Sequence, residues 1–414
     1  MEYGLIGERL SQSFSGSIHE KLASYPYDLL ELAPDDVGSF LRKKDFRGIN
    51  VAAPYKVKVI PYLDEISGLA GRVRAVNTIV NRNGRLCGLN TDYYGIRELL
   101  RLNGTDPAGR KVLILGSGGA GRTAQAVVSD LGASIISRAG RSGADGTITY
   151  EEMYRAHTDA DILINTTLCG MDPEIDDCPV DLTRFANLRA VIDLVYDPLR
   201  TVLVLEAQKR GIPAAGGLYM LVAQAAYAAE LFTGARTDRD VTDRVYQEIL
   251  NARRNIVLTG MSMAGKTTLG NLLSERLGRR VMDTDEMVIQ TEQREITEIF
   301  ARDGESCFRD IESRMVRSLA AQTGLIIATG GGVILREENV DALKKNGYIV
   351  FLDRPLEQIL PAEDRPLANT AEKVTALFRK RYPIYRSTCD GFIPNDMTPE
   401  EGAERILRVL KYRV

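Results

Sequence analysis

Asn255-Ile-Val-Leu-Thr259-Gly260-Met261-Ser262-Met263-Ala264-Gly265-Lys266-Thr267 decides how the second half of this 414-residue chain folds. An apolar, β-rich run enters G-x-x-x-x-G-K-T, and Thr268-Leu-Gly-Asn-Leu-Leu-Ser-Glu-Arg-Leu277 continues with helical spacing. A strand before and a helix after are the context in which this motif cradles nucleoside-triphosphate phosphates. Glycines let backbone N–H groups approach the anion. The helix N-terminus adds partial positive charge. Lys266 reaches the β/γ-phosphates, and the Thr267 hydroxyl ligates Mg²⁺.

The same unit stands upstream. Lys111-Val-Leu-Ile-Leu115 runs into Gly116-Ser117-Gly118-Gly119-Ala120-Gly121, then into the helical pattern Arg122–Leu131. Continuous apolar runs of this kind read as buried parallel strands. Strand–loop–helix alternation predicts an α/β fold. Two loops so far apart cannot easily serve one nucleotide, which predicts two nucleotide-binding domains. Asn103-Gly-Thr-Asp-Pro-Ala-Gly109 is a strong turn signal. The expected organisation is a substrate lobe over 1–104, with helices around 215–250 packing back on it. A Rossmann lobe over 105–235, a linker helix over 236–254 and a P-loop domain with a parallel sheet over 255–414 follow.

Composition sets the class. Apolar residues are 44% and charged residues 26%, as in ordinary globular protein. A net charge of −3 and a pI near 5.8 give no basic footprint for nucleic acid or an anionic membrane. Five cysteines are widely spaced with no C-x-x-C pair, which predicts reduced thiols rather than a disulfide framework. Two distant histidines, His19 and His157, make a His-based zinc site unlikely. The N-terminus lacks the basic and apolar regions of a signal peptide. No apolar run reaches the ~18 residues of a membrane span. A cytoplasmic enzyme acting on small molecules is expected, and a homodimer is compatible with the sequence.

In the second half, Asp283-Thr284-Asp285 ends an apolar run. By itself it reads as a polar turn; beside a P-loop, one carboxylate can hold the metal's water shell and the other can orient an acceptor hydroxyl. Phe308-Arg309-Asp310-Ile311-Glu312 comes next. Gly330-Gly331-Gly332 follows a strand, so something approaches bare backbone there. Arg365-Pro366-Leu367 and Arg379-Lys380-Arg381-Tyr382 add arginines, which bind carboxylate or phosphate bidentately. An anionic small acceptor is expected.

From about Asn255 onward the chain resembles shikimate kinases, with P-loop, D-T-D, F-R-x-x-E, G-G-G and R-P-L in the family's order. The resemblance implies ATP and Mg²⁺ binding by Met263, Ala264, Gly265, Lys266, Thr267 and Thr268, with Asp283 at the metal and in catalysis. It implies shikimate binding by Asp285, Arg309, Gly331 and Arg381, the arginines clamping the carboxylate. Arg365 would cover the phosphates from a lid that spans 357–367. That stretch is short and lacks further basic residues common there.

In the first half, G-x-G-x-x-G alone is a weak signal, strengthened here by the preceding strand and following helix. The next strand, Ser134–Ser137, leads to Arg138 and Arg141. Arginines at this point suit a 2′-phosphate and hence NADP; two solvated loop arginines are the plainer alternative. Upstream, Ser13 and Ser15, Asn50–Lys56, Asn77 and Asn90–Asp92 place hydroxyls, amides, a lysine and an aspartate at the ends of apolar runs. They suit a polyhydroxy ligand or are ordinary surface polarity. Lys56 with Asp92 would form an acid/base pair for hydride transfer at a carbonyl.

Residues 2–235 are similar to shikimate dehydrogenases through Ser13-Phe14-Ser15, Asn50–Lys56, Asn90-Thr91-Asp92, Asn165-Thr166-Thr167, Asp193–Pro198 and Gly217–Gln224. The resemblance implies Lys56 and Asp92 as the catalytic pair. It implies shikimate contacts from Ser13, Ser15, Asn77, Tyr196 and Gln224. An NADP(H) site would be lined by Gly116–Gly121, Ser137, Arg138, Arg141, Leu194 and Gly217. The family's motif threonine is Ala52 here and the proline after the serines is Gly16, which predicts weaker shikimate binding or an altered substrate preference. Two consecutive reactions in one chain are expected. A non-catalytic shikimate or quinate sensor is the alternative, and it would have no need of both chemical sets.

Overall fold

A computed structural model of the chain describes residues 1–10, 13–360, 367 and 369–411. They form two compact units, Met1–Ile249 and Leu250–Val414. Among the described residues no helix is long and apolar enough to cross a membrane.

The first unit holds two sheets. Strands β1 (Tyr3–Gly7), β2 (Asp28–Glu31), β3 (Gly48–Val51), β4 (Glu65–Ile66), β5 (Thr78–Arg82) and β6 (Arg85–Leu89) pair in the order β2-β1-β3-β5-β6-β4. β5 runs antiparallel to both neighbours. Its hairpin with β6 turns at Asn83 and Gly84, with φ of 54° and 84°. That is the asparagine–glycine pair a two-residue turn with two left-handed positions selects.

The second sheet is wholly parallel. β7 (Lys111–Leu115), β8 (Ile135–Ala139), β9 (Ile162–Asn165), β10 (Ala190–Asp193) and β11 (Ala214–Ala215) pair in the order β11-β10-β9-β7-β8. Ile148 adds a single parallel bridge to Ala139 beyond β8. With that residue the order becomes the dinucleotide-binding one, its third strand reduced to one bridge. The expected end of β8 at Ser137 is two residues early, so Arg138 lies inside the strand.

Both faces of this sheet are covered, which explains the unbroken apolar runs. Val112, Ile114, Ile162 and Ile164 pack on one side, with Ala124 and Val127 of the helix Gly119–Asp130. Leu113, Leu115, Leu163 and Val191 pack on the other, with Leu203. The helix Leu218–Thr233 returns to the first lobe, where Ala228 and Phe232 meet Tyr3 and Leu5.

The second unit has one parallel sheet. β12 (Asn255–Thr259), β13 (Val281–Asp283), β14 (Ile326–Ala328), β15 (Gly347–Asp353) and β16 (Gly391–Pro394) pair in the order β13-β14-β12-β15-β16. Ile256 and Leu258 face Leu269, Leu273 and Ile406. Val257 faces the opposite core with Ile327, Ile349 and Phe351. β12 thus lies in the middle of the sheet and delivers the phosphate loop at its C-terminal end, where open α/β sheets bind ligands.

Candidate active sites

In the first unit, Lys56 and Asp92 come together from different elements. Lys56 lies in the one-turn helix Tyr55–Lys58 after β3, and Asp92 opens the helix Asp92–Leu102 after β6. Lys56 Nζ donates to Asp92 Oδ2 at 2.6 Å, and the aspartate is almost fully buried while the lysine remains part-exposed. Asp92 Oδ1 accepts from Asn77 Nδ2 at 2.9 Å. Asn77 also donates to Thr91 Oγ1 at 2.9 Å and accepts from the Thr91 N–H at 2.6 Å. Gln224, from the helix Leu218–Thr233, closes the group: its Oε1 accepts from Thr91 Oγ1 at 3.1 Å. Both N–H groups and the oxygen of Asn77 therefore have protein partners. Its visible role is to orient Asp92.

Ser13 and Ser15 border the helix Ser15–Leu22, with the Ser15 N–H donating to Ser13 Oγ at 3.3 Å. Phe14 between them packs edge-on against Tyr196, ring centroids 5.1 Å apart. The serine pair and Tyr196 are thereby neighbours. Ala52 follows β3, where its N–H donates to the Ile6 carbonyl at 2.9 Å.

The glycines of the Gly116 loop serve different purposes. A Cβ on Gly116 would lie 2.3 Å from Thr166 Oγ1, and one on Gly121 would lie 2.3 Å from the Gly116 carbonyl. Those two permit the tight strand-to-helix turn. A Cβ on Gly118 would meet nothing within 4 Å. Gly118 caps the helix Gly119–Asp130 with no side-chain hydrogen bond, so no side chain satisfies its first N–H groups from that position. Ser117 and Ala120 lie within the same turn. Thr166 Oγ1 donates to the Leu115 carbonyl at 2.7 Å, tying β9's exit to the loop.

Leu194 and Gly217 abut: a Cβ on Gly217 would lie 2.1 Å from the Leu194 carbonyl. The loop carrying Leu194 and Tyr196 is pinned by Asp193. This carboxylate accepts from Asn165 Nδ2 at 2.9 Å, the Val195 N–H at 3.0 Å and Thr201 Oγ1 at 2.7 Å. Burial nonetheless holds its pKa up at about 6. Ser137 Oγ meets His157 Nδ1 at 3.2 Å rather than standing open. Arg138 is buried. One nitrogen donates to the Asp145 carbonyl at 2.6 Å, and Nε and a second terminal nitrogen have no partner. Burial, then the Arg122 charge, lowers its pKa. Arg141 lies on the exposed loop beyond. A helix start with no side-chain cap and a buried guanidinium short of acceptors fit a dinucleotide carrying an extra phosphate.

The second unit builds its site from the P-loop outward. Lys266 Nζ donates to the Gly260 and Met261 carbonyls at 3.0 and 2.8 Å. Thr267 Oγ1 donates to Asp283 Oδ2 at 3.0 Å. Asp283 Oδ1 caps the helix Thr284–Glu292 by accepting from the Asp285 N–H at 2.9 Å. Thr268 continues the helix Lys266–Leu277, whose N-cap Gly265 makes no side-chain hydrogen bond. Thr267 and Asp283 are only two groups. That suits Mg²⁺, which keeps several waters and takes substrate phosphate oxygens as further ligands.

A cleft lies beside the loop, lined by Ser262, Asp285, Phe300, Arg309, Gly331 and Arg381 among others. Arg309 pairs with Glu312 at 2.8 Å and with Glu305 at 3.2 Å. Burial works against the Arg309 charge, but the two glutamates outweigh it and raise the pKa. Arg381 Nη1 donates to the Gly331 carbonyl at 3.1 Å, and its buried Nε has no partner. Burial lowers the Arg381 pKa, with Arg309 adding to the effect. Two desolvated guanidinium groups in one cleft attract a carboxylate. The triple glycine fits tightly: Cβ atoms on Gly330 and Gly332 would collide with Asp285 Oδ1 and Arg309 Nη1 at 2.4 and 2.3 Å. Arg365 and most of the lid fall outside the described residues.

Three contributors were not singled out from sequence. Thr91 joins Asn77 to Gln224, Glu312 holds Arg309, and Asn395 touches the P-loop from outside. Thr91 and Glu312 stood inside quoted motifs; nothing local marks Asn395.

The two folds and their sites define an NADP-type oxidoreductase joined to a P-loop phosphotransferase. A family model described as shikimate dehydrogenase substrate binding domain matches residues 5–79, and one described as shikimate kinase matches 262–411. A Clostridium beijerinckii protein, shikimate dehydrogenase (NADP(+)), is 35% identical over 261 residues, covering 59% of this chain and 96% of that protein. The crystal structure of shikimate dehydrogenase 1 from Peptoclostridium difficile aligns with TM-score 0.56 and 33% identity, covering 60% of this chain and 98% of that one. A Thermus thermophilus shikimate 5-dehydrogenase in complex with NADP(H) and shikimate aligns with TM-score 0.54 and 28% identity, covering 60% and 99%. The chain belongs to the shikimate dehydrogenase family and carries a shikimate kinase domain after it.

Proposed function

We propose that the chain catalyses two consecutive reactions: NADPH-dependent reduction of 3-dehydroshikimate to shikimate, then ATP-dependent phosphorylation of shikimate at its 3-hydroxyl. The observation that carries this reading is the pairing of complementary chemistry in the two units. A Lys–Asp proton pair among hydroxyls and amides lies in one; an arginine-lined cleft beside a P-loop lies in the other.

In the dehydrogenase half, bound NADPH supplies the hydride. The Lys56–Asp92 pair supplies the proton to the oxygen that becomes the hydroxyl. Asn77, through Asp92 and Thr91, fixes the pair's geometry. Ser13, Ser15, Tyr196 and Gln224 bind the polyhydroxy ring. Gly116–Gly121, Arg138 and Arg141, with Leu194 and Gly217, hold the dinucleotide.

In the kinase half, bound ATP–Mg²⁺ supplies the phosphoryl group. Lys266 and the loop N–H groups hold phosphate oxygens, and Thr267 with Asp283 hold the metal. Asp285 orients the acceptor hydroxyl. Arg309 and Arg381 clamp the carboxylate, with Gly331 against the ring. The hydroxyl formed in one half is the nucleophile of the other.

Purified full-length protein should reduce NADP⁺ when given shikimate alone, and release ADP when given shikimate, ATP and Mg²⁺. Absence of either activity removes the corresponding half of the reading. Shikimate binding with neither turnover would instead make the chain a sensor.

A further inference from the structure

The kinase half's P-loop is held from outside by a residue that the mechanism above does not use. Met263 and Gly265 both adopt left-handed backbone, with φ of 64° and 82°. Glycine does this freely, whereas the Cβ of methionine makes it unfavourable. Between them lies Ala264. Its carbonyl accepts from Asn395 Nδ2 at 2.6 Å. Asn395 is buried just after β16, and its own N–H is fixed to the Asp353 carbonyl at the end of β15, 2.9 Å away. Its Nδ2 also lies 3.3 Å from where a Cβ on Gly265 would sit. The Met263 side chain is 56% exposed, so little packing compensates its backbone.

We propose that Asn395 is a positioning residue for nucleotide binding. Its amide holds the carbonyl of Ala264, the residue between the two left-handed ones, and so keeps the loop in the phosphate-accepting shape that Met263 disfavours. The inference rests on reading this half as an ATP-dependent kinase. An alanine at this position leaves the buried carbonyl unpaired; an aspartate sets an acceptor against it.

The test is calorimetric titration of ADP–Mg²⁺, and separately of shikimate 3-phosphate, the product of the kinase half alone, into the full-length protein and four variants: Asn395→Ala, Asn395→Asp, Met263→Gly and the double variant Asn395→Ala/Met263→Gly. Asn395→Ala should raise the ADP Kd about tenfold and Asn395→Asp more. The shikimate 3-phosphate Kd should stay within about twofold, which also reports an intact kinase fold. Met263→Gly should recover affinity in the Asn395→Ala background by a larger factor than it changes the wild type. An unchanged ADP Kd in Asn395→Ala overturns the proposal. So does an equal loss of ADP and shikimate 3-phosphate affinity, or a Met263→Gly effect of the same size in both backgrounds. Turnover is not read: a chain that binds ADP without phosphorylating shikimate overturns the kinase reading and leaves these titrations to decide on Asn395.

Discussion

The Gly116 and Gly260 loops both join a buried parallel strand to a helix, yet they meet phosphate differently. The first relies on backbone. Its glycines make room for one another and for Thr166, and no lysine belongs to it. The second adds Lys266 on its own carbonyls and the Thr267–Asp283 pair. On the proposed reading the contrast follows from what the phosphates do. In the dehydrogenase half they anchor a cofactor and keep their charge. In the kinase half one is transferred, so charge must be met by a cation and a metal where it develops. The loop that only anchors can be neutral; the loop that reacts cannot.

Exchanging the critical lysines should separate the halves most sharply. Lys56→Met should lower dehydrogenase kcat by about 10²–10⁴-fold, since a general acid/base pair contributes that much, with ADP release unchanged. Lys266→Met should lower phosphorylation by about 10²–10³-fold, with NADP⁺ reduction unchanged. Loss of both activities in either variant would break the idea of two independent sites.

Acid sensitivity should also divide the units. Both histidines lie in the first, and His19 is buried there, stacked on Tyr27 with ring centroids 3.9 Å apart. Burial pulls its pKa from 6.5 down to about 3. A base with a depressed folded-state pKa leaves the unfolded chain binding the extra proton below pH 6.5. Its stabilising contribution is therefore complete above 6.5 and lost as pH falls toward 3, by about 1.4 kcal/mol per pH unit. Denaturant unfolding of the dehydrogenase unit should show this slope, and His19→Phe should flatten it. An unaltered slope in the variant would assign the acid sensitivity to carboxylates.

Two glycines test the anchoring loop. Gly121→Ala should destabilise the loop by about 1–3 kcal/mol, because the added methyl strikes backbone, lowering the melting temperature and raising the KM for NADPH together. Gly118→Ala should raise that KM with no change in melting, because only the ligand would meet the methyl. An unchanged KM would move the phosphate seat away from Gly118. The smallest effect should come from Ala52→Thr: a several-fold lower KM for shikimate, corresponding to about 1 kcal/mol for one restored hydrogen bond. A KM that does not fall would show that the hydroxyl is not missed.

Much of this architecture is legible in the sequence where the signal is local. The runs Lys111–Leu115 and Asn255–Thr259 are strands entering glycine loops because each alternates its side chains between two buried faces, so Val112–Leu115 and Ile256–Leu258 are all apolar. Asn83-Gly84 marks a hairpin just as locally. The remainder depends on distant contacts. Nothing near Ile148 announces that one bridge replaces a strand. Arg138 reads as a loop arginine, yet it lies within β8 and is buried. Asn395 reaches Ala264 from 131 residues away. Motif order marks the side chains proposed to react; only packing explains which residues hold them still.

Asp283 answers to two masters. One oxygen meets Thr267, and the other begins the helix that carries Asp285. On the proposed reading, anyone who retunes the kinase half's metal preference by replacing Asp283 also removes the cap from that helix. The proposed metal seat and the acceptor's proposed partner are fastened to the same carboxylate and cannot be redesigned one at a time.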